Sequence, residues 1–173
     1  MFINKWRAWP YYNCLLDFLY AKYLKFFSRK KCITNDTLVE IKRIEQLAYP
    51  KQMRAYAEIN SVKEFADYLE CYDSVQIDCF LKEDFYLICI LHYNCVELFD
   101  LASEKQKCRD IFTVEKYIAD HYLKKDLYAN SRETTSYPLY KLCEKRGKIK
   151  IIEDEEEDFM GEKFHNLRMR AKS

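Results

Sequence analysis

Three strand-like runs joined by very short turns constrain this sequence more than any other feature. The runs are Val75–Leu81, Phe85–Tyr93 and Cys95–Ala102, and the turns are Lys82–Asp84 and Tyr93–Asn94. A parallel pair of strands needs a crossover connection of about a dozen residues or more. These three runs are therefore predicted to form an antiparallel meander.

The middle run of the meander reads FYLICILHY and is apolar along its whole length. A strand with this pattern is typically buried on both faces, so we expect it at the centre of the sheet. His92 lies near its end and is interpreted as a hydrogen-bonded strand residue rather than a catalyst.

After the meander the pattern alternates between helix and strand. An amphipathic run predicts a helix over Ile111–Lys124 with Asp110 as its cap, and Leu127–Ala129 reads as a short strand. The next helix follows a Thr-Thr-Ser cluster, has Pro138 in its first turn and ends near Gly147. The connection before Ile111 joins a strand end to a helix start, where α/β proteins most often bind a ligand.

The C-terminal part of the sequence predicts a two-stranded hairpin. Lys148–Ile152 and Lys163–Arg170 have strand patterns, and the acidic run Glu153–Asp158 is interpreted as a solvated hairpin loop that turns at Gly161. This acidic run can attract a cationic amine or a basic protein, or it can pair with the basic stretch Lys22–Lys31.

Residues 1–31 predict an amphipathic helix that follows Pro10. Its apolar stripe consists of Tyr12, Leu15, Leu16, Leu19, Tyr23, Phe26 and Phe27. The basic residues that fall mostly off this stripe are Lys22, Lys25, Arg29, Lys30 and Lys31. The preferred interpretation is a helix docked through the stripe on the core or on another subunit. The second is a basic helix on a membrane surface, with Trp6 and Trp9 as interfacial anchors.

Two further helices precede the meander. The cap cluster Thr34–Asp36 begins one of them, which ends at Tyr49 because Pro50 disfavours helix at the preceding residue. A capping box at Ser61 begins the other, which is predicted over Val62–Cys71. Helices and strands in this order predict an α+β fold.

The chain of 173 residues is long enough to bury the core of one domain. We divide it into an N-terminal amphipathic helical extension, residues 1–33, and a single α+β domain over residues 34–173.

Composition argues against several classes of protein. Only 2 glycines are present, so there is no glycine-rich loop to cradle phosphates, and a net charge of +1 gives no electrostatic case for nucleic acid. The 8 cysteines form no C-x-x-C pair and no zinc spacing, which is typical of reduced cytosolic thiols. No convincing secretory signal or membrane span is found, and a cytoplasmic protein is expected.

The predicted order of elements resembles that of the GNAT superfamily of N-acetyltransferases. Three stretches carry the resemblance: LVEIKRIEQLAYP (38–50), FDLAS (99–103) and YPLYKLCEKRGKIKII (137–152). They are similar to that family's first helix, its strand end at the acyl-CoA site, and its late helix with the following strand. The resemblance covers about residues 36–170. It implies a central mixed, mostly antiparallel sheet flanked by helices, to which this chain adds an extra N-terminal helix.

The resemblance also implies acetyl-CoA as a co-substrate. In that family two neighbouring strands splay apart, and backbone groups at the end of the first bind the pantetheine arm. Here these groups belong to Asp100, Leu101 and Ala102. Asn130 follows the second strand, where it would hydrogen-bond ligand or substrate, and a turn-forming role explains it equally well.

The family holds the pyrophosphate on backbone amides of an Arg/Gln-x-x-Gly-x-Gly/Ala loop at a helix N-terminus. Aligned on Gln106, this sequence has Arg109 and Ile111 where the loop has glycines, and Asp110 adds a repelling charge. Lys107 and Arg109 can compensate as side-chain donors to phosphate. The loop has either lost CoA affinity or kept it through these side chains, and both interpretations stand.

The resemblance further implies a tyrosine on the late helix as general acid toward the CoA thiolate. The position four residues before Gly147 is Cys143, and Tyr140 lies one turn earlier on nearly the same helix face. Glu97 is the candidate general base for the substrate ammonium. Strict alternation along the strand places Glu97 and Asp100 on opposite faces, so at most one of them faces the cleft.

The resemblance therefore implies an acetyl-CoA-dependent N-acetyltransferase acting on an amine or a basic protein. The alternative is a catalytically degenerate protein of the same fold that serves as a protein-binding module. In that case residues 1–31 would contact a protein partner or a second copy of the chain.

Overall fold

The structure is a computed structural model that describes residues 14–27, 33–49, 55–104 and 109–172. Within these ranges the chain is an α+β fold with a six-stranded mixed sheet flanked by five helices. The helices are α1 (Cys14–Phe27), α2 (Asn35–Ala48), α3 (Val62–Tyr68), α4 (Arg109–Tyr122) and α5 (Tyr137–Lys145). The strands are β1 (Ile77–Lys82), β2 (Phe85–Leu91), β3 (Cys95–Ser103), β4 (Asp126–Arg132), β5 (Ile149–Phe159) and β6 (Glu162–Ala171). None of the described helices is both long enough and apolar enough to cross a membrane.

The strand order across the sheet is β1-β2-β3-β4-β6-β5. β1, β2 and β3 form an antiparallel meander, as the short turns predict. Every residue of β2 is buried, which confirms that this apolar strand is covered on both faces. β4, β6 and β5 are also mutually antiparallel, so β3 and β4 form the one parallel pair of the described sheet.

The parallel pair is short. β3 and β4 are in register only over Cys95–Glu97 and Asp126–Tyr128, although both strands continue for several residues beyond. β3 remains paired with β2 as far as Ser103, and β4 remains paired with β6 as far as Arg132. Each central strand therefore follows its outer neighbour, and the sheet opens between β3 and β4 at their C-terminal ends.

A register shift in β3 lies at the start of this opening. Cys89 pairs with Leu98 while the preceding residue, Ile88, pairs with Asp100, so Phe99 has no partner in β2. An extra residue of this kind bends and twists a strand. The shift therefore directs the end of β3 away from β4.

The same shift corrects the expected alternation in β3. Glu97 lies opposite Ile90 and Asp100 lies opposite Ile88, and both isoleucines belong to one buried core. Directly opposed residues of an antiparallel pair share a face of the sheet. The expectation that Glu97 and Asp100 lie on opposite faces is therefore wrong, because Phe99 adds one residue to the count between them.

The two faces of the sheet carry separate cores. One core lies under α4 and α5 and includes Leu98, Val114, Ile118, Leu127, Leu167 and Met169. The other lies under α2 and α3 and includes Leu38, Ile41, Ile44, Phe65, Tyr86 and Ile88. The opening between β3 and β4 thus lies between two helical layers.

The inward face of α1 differs from the predicted one. The buried residues of the helix are Asp17, Ala21 and Leu24. The predicted stripe is exposed wherever the structure describes it, at Leu15, Leu16, Leu19, Tyr23, Phe26 and Phe27. The expectation that this stripe packs on the core is wrong, because the buried hydrogen bonds of Asp17 and the small Ala21 direct the opposite side of α1 to the body of the protein. Docking of the stripe on another subunit stays a prediction. The other stripe residue, Tyr12, lies outside the described residues.

The acidic run Glu153–Asp158 is a strand and not the predicted hairpin loop. β5 continues through it to Phe159, and the chain turns at Met160–Gly161, where both residues have positive φ. The acidic side chains tolerate the strand because β6 places cations beside them. Lys163 pairs with Glu156 within this hairpin.

Smaller differences concern the ends of elements. α3 ends at Tyr68, three residues before the predicted end, and Glu70 follows with a positive φ. α4 begins at Arg109, so Asp110 lies inside the helix and is not its cap. β4 extends over Asp126–Arg132 because β6 pairs with all of it, a long-range contact that local sequence does not reveal.

Arg168 of β6 links the last three strands through hydrogen bonds to both neighbours of β6. Its guanidinium donates to Asp126 of β4 at 2.8 Å and to Glu153 of β5 at 2.7 Å. Replacing Arg168 with Met leaves both carboxylates without this cation. We expect the free energy of unfolding in urea to fall on the order of 1–3 kcal/mol.

The matched control is Lys150→Met, which removes an exposed cation from β5. It should change the free energy of unfolding by no more than about 0.5 kcal/mol. Equal effects of the two substitutions would contradict the role given to Arg168.

Candidate functional site

A small apolar cavity lies under α4 and α5, beside the place where β3 and β4 part. Leu98, Leu127 and Met169 line it from the sheet, and Val114 and Tyr140 line it from the helices. Leu98 is the first residue of β3 beyond the parallel pairing. The cavity is therefore the α4–α5 side of the place where the two strands part.

Tyr140 contributes a polar group to this apolar cavity. α5 has a proline in its first turn, and it buries Tyr140 and Cys143 on the face toward the sheet. Burial raises the pKa of Tyr140, and the nearby thiols and Asp100 add to the rise. The phenol therefore keeps its proton at neutral pH.

Cys143 lines the same cavity one turn further along α5. Burial raises the pKa of its thiol to about 12, and a hydrogen bond to Glu115 acts in the same direction. Glu115 in turn accepts from Arg146 at 3.0 Å, which ties α4 to α5. A thiol in this environment is a protonated packing residue and a poor nucleophile.

Asp100 lies on the other face of the opening, directly after the unpaired Phe99. Its Oδ2 accepts hydrogen bonds from Tyr56 at 2.6 Å and from Tyr86 at 2.9 Å. Its Oδ1 accepts from the backbone N–H of Leu101 at 2.8 Å. Burial raises the pKa of Asp100, although these three donors act in the opposite direction. A carboxyl group with a raised pKa binds a proton more readily than it does in water.

Leu101 has both backbone groups engaged by the protein itself. Its N–H donates to Asp100, and its carbonyl accepts from the Tyr49 hydroxyl at 3.3 Å. The resemblance assigns the pantetheine arm to the backbone of residues 100–102. A ligand at Leu101 must therefore replace these two hydrogen bonds.

Glu97 belongs to a chain of three buried or partly buried groups. His92 donates from Nε2 to Glu97 at 3.3 Å and from Nδ1 to Asp17 of α1 at 3.0 Å. Asp17 also accepts from the backbone N–H of Tyr93 at 2.8 Å. Although burial opposes it, the two carboxylates raise the pKa of His92 to about 9. His92 is thus the hydrogen-bonded residue that the sequence predicts, and it is an imidazolium at neutral pH.

The remaining predicted ligand residues are not brought into one described group. Gln106 and Lys107 lie outside the described residues, as does the side chain of Arg109, whose backbone begins α4. Ala102 is buried opposite Tyr86. The exposed Asn130 donates across the β4–β6 pair to Asn166 at 3.1 Å.

A second polar cluster lies under the first turn of α5. The buried His165 contacts Asp154 at 2.8 Å through Nδ1, and Tyr137 donates to the other oxygen of Asp154 at 2.7 Å. The Tyr137 ring stacks on His165 with 3.6 Å between ring centroids. Nearby in the sheet, Ser131 lies opposite His165 and donates to Ser136 at 2.8 Å. The Nε2 atom of His165 is buried and has no partner in the described structure.

Sequence reasoning missed Tyr56, Tyr86 and Asp17 as partners of the site. Asp100 and His92 do provide a signal, since a polar side chain in an apolar strand needs a buried partner. The sequence does not identify that partner, because Tyr56 lies 44 positions from Asp100 and Asp17 lies 75 positions from His92.

In comparisons with known proteins, no family model matches this chain and no curated protein sequence matches it. Across the described residues, no group of three or more His, Cys, Asp or Glu side chains is arranged to hold a metal ion. The candidate site is therefore defined by its own geometry. That geometry is a gap between two strands, with a protonated phenol on one face and a carboxyl of raised pKa on the other.

The His92 chain gives a pH-dependent stability. The pKa of His92 is about 9 in the folded protein and 6.5 as the ordinary value, so folding favours the protonated ring. This contribution is complete below about pH 6.5 and is lost as the pH rises through 9. Since each unit of pKa corresponds to about 1.4 kcal/mol, its full size is on the order of 3 kcal/mol.

We expect wild-type protein to lose more unfolding free energy between pH 6 and pH 9.5 than a His92→Gln variant, measured by urea denaturation. Other groups that titrate in this pH range are present in both proteins, so the difference between the two pH profiles reports on His92. Parallel pH profiles for the two proteins would contradict the assignment.

Proposed function

We propose that this protein is an acetyl-CoA-dependent N-acetyltransferase of the GNAT type, placed in the cytoplasm and acting on an amine. The observation that carries the proposal is the gap between β3 and β4 beyond Glu97 and Tyr128, with Tyr140 on one face and Asp100 on the other. A pantetheine arm is narrow and extended, and a strand edge offers hydrogen-bonding groups along its length.

The strand order supports the same proposal. The resemblance implies an antiparallel meander, one parallel pair that splays apart, and a C-terminal hairpin, and the described sheet has each of these parts. α4 begins at Arg109, six residues after Ser103, the last residue of β3 that pairs with β2. The positive end of its helix dipole therefore lies next in the chain after the gap, where a pyrophosphate would need it.

The proposed reaction uses the two faces of the gap for its two proton transfers. The neutral amine nitrogen attacks the thioester carbonyl carbon, the new C–N bond forms and the C–S bond breaks. Tyr140 donates its proton to the leaving CoA thiolate, and Asp100 accepts the proton that the amine loses. The phenolate regains its proton through solvent when the products leave.

Asp100 is preferred to Glu97 as the base. Glu97 lies in the paired part of β3 and accepts a hydrogen bond from His92. Asp100 lies in the parted region and has a raised pKa. Because Asp100 already accepts from two tyrosines, an approaching amine would compete with one of these hydroxyls.

The proposal is tested by Tyr140→Phe, which removes the phenol oxygen and keeps the ring in the core. Loss of a general acid typically costs about 10²–10⁴ in rate. We therefore expect kcat for acetyl transfer to a panel of amines to fall by that factor. Calorimetry should give acetyl-CoA the same affinity for variant and wild type.

Tyr137→Phe is the matched control, because it removes one phenol oxygen from the same helix, on the side that contacts Asp154. It should leave kcat within a few-fold of wild type. No binding of acetyl-CoA by wild type at millimolar concentration would overturn the proposal, since KM values for enzymes run from about 1 μM to 1 mM.

The second candidate function is a protein-binding module of the same fold without catalysis. The observation that favours it is the engagement of both Leu101 backbone groups by Asp100 and Tyr49, together with side chains at both glycine positions of the loop. The same calorimetric titration separates the candidates, because the binding module requires no affinity for acetyl-CoA.

A further inference from the structure

One face of α1 presents large apolar side chains to solvent. Leu15, Phe26 and Phe27 have 66%, 77% and 72% of their surface exposed, and Leu19 and Tyr23 are exposed between them. They recur at helical spacing on the side opposite the buried stripe. Exposing this much apolar surface on one helix is unfavourable in water, and clustered patches of this kind mark interaction surfaces.

The apolar surface extends beyond the helix. Phe18 packs edge-on against Tyr72 with 5.6 Å between ring centroids, and Tyr20 packs edge-on against Tyr93 at 6.1 Å. Tyr72 and Tyr93 are themselves exposed. The α1 face, defined as the exposed residues of α1 with these two tyrosines, is therefore a broad and strongly aromatic surface.

The charge on the α1 face is positive. Lys22 lies beside the apolar residues, Lys25 pairs with Asp73 at 2.9 Å, and the sequence continues with Arg29, Lys30 and Lys31. The stretch 22–31 holds these five cations and no acidic residue. Asp17 is the one acidic residue within α1, and it is buried against His92.

We propose that the α1 face binds the surface of a membrane that contains anionic lipids. A helix in the interfacial plane inserts aromatic and aliphatic side chains among the acyl chains while lysines reach the headgroups. Lys22 is already placed for this, with its Nζ 4.4 Å from the centre of the Phe18 ring. Clustered cations next to such a helix gain attraction from negatively charged headgroups.

Charge also favours an anionic membrane surface over a second copy of the chain as the partner of the α1 face. Two α1 faces brought together would place the Lys22 side chains of both copies near each other with no free carboxylate beside them among the described residues, because Asp17 is buried against His92 and Asp73 already pairs with Lys25. Anionic lipid headgroups supply the opposite charge. An acidic protein partner would be attracted by the same charge. It would not explain why several adjacent aromatic side chains are exposed, whereas a fluid apolar layer accommodates them.

The test is co-sedimentation of the full chain with phosphatidylcholine vesicles, with and without phosphatidylserine. We expect binding to the anionic vesicles that weakens as salt is raised. Phe26→Gln with Phe27→Gln should weaken it by about tenfold or more, since two large side chains lose their apolar burial. Lys22→Gln should weaken it roughly fivefold.

The matched control is Val39→Gln with Leu47→Gln on α2, where the wild-type side chains are 61% and 51% exposed. It should bind as wild type does. No binding of wild type to anionic vesicles, equal binding to vesicles without phosphatidylserine, or an equal loss in the α2 control would each overturn the proposal. The proposal would also be overturned if the protein formed a stable dimer and the double substitution Phe26→Gln with Phe27→Gln dissociated this dimer without changing vesicle binding.

Discussion

Pairing of β3 with β2 and of β4 with β6 holds the two central strands apart beyond Glu97 and Tyr128. The unpaired Phe99 bends β3 within this region, and the buried β2 fixes the bend because its side chains pack on both faces. A gap in the middle of a sheet leaves strand-edge groups without their usual partners. At Leu101 the side chains of Asp100 and Tyr49 form these hydrogen bonds, and a bound ligand would form them in their place.

The gap brings together groups that belong to different layers of the fold. Tyr140 comes from α5 on one face, and Asp100 is held by Tyr56 and Tyr86 on the other. Removal from water raises the pKa of both Tyr140 and Asp100. Their burial therefore favours a phenol that keeps its proton and a carboxyl group that binds one more readily than it does in water. In the proposed transferase mechanism, the phenol supplies a proton at one side of the thioester and the carboxyl group accepts one at the other.

Local sequence predicted the helices, the meander and the C-terminal hairpin because short turns, caps and periodicity act over a few residues. It failed where distant contacts decide. The acidic run 153–158 pairs as a strand because β6 supplies Lys163 and Arg168. α1 turns its predicted apolar stripe outward because Asp17 is held by His92, 75 positions away. Alternation misplaced Asp100 relative to Glu97 because one unpaired residue shifts every later side chain to the other face.

The central claim is that the parted edges of β3 and β4 form the acyl-CoA site. Amide hydrogen exchange, measured by mass spectrometry with and without CoA, tests it most directly. Bound CoA should slow exchange in peptides covering residues 99–103 and 128–132, while the fully paired and buried β2 stays unchanged. Unchanged exchange at both edges with millimolar CoA, or slowing confined to other parts of the chain, would contradict the claim.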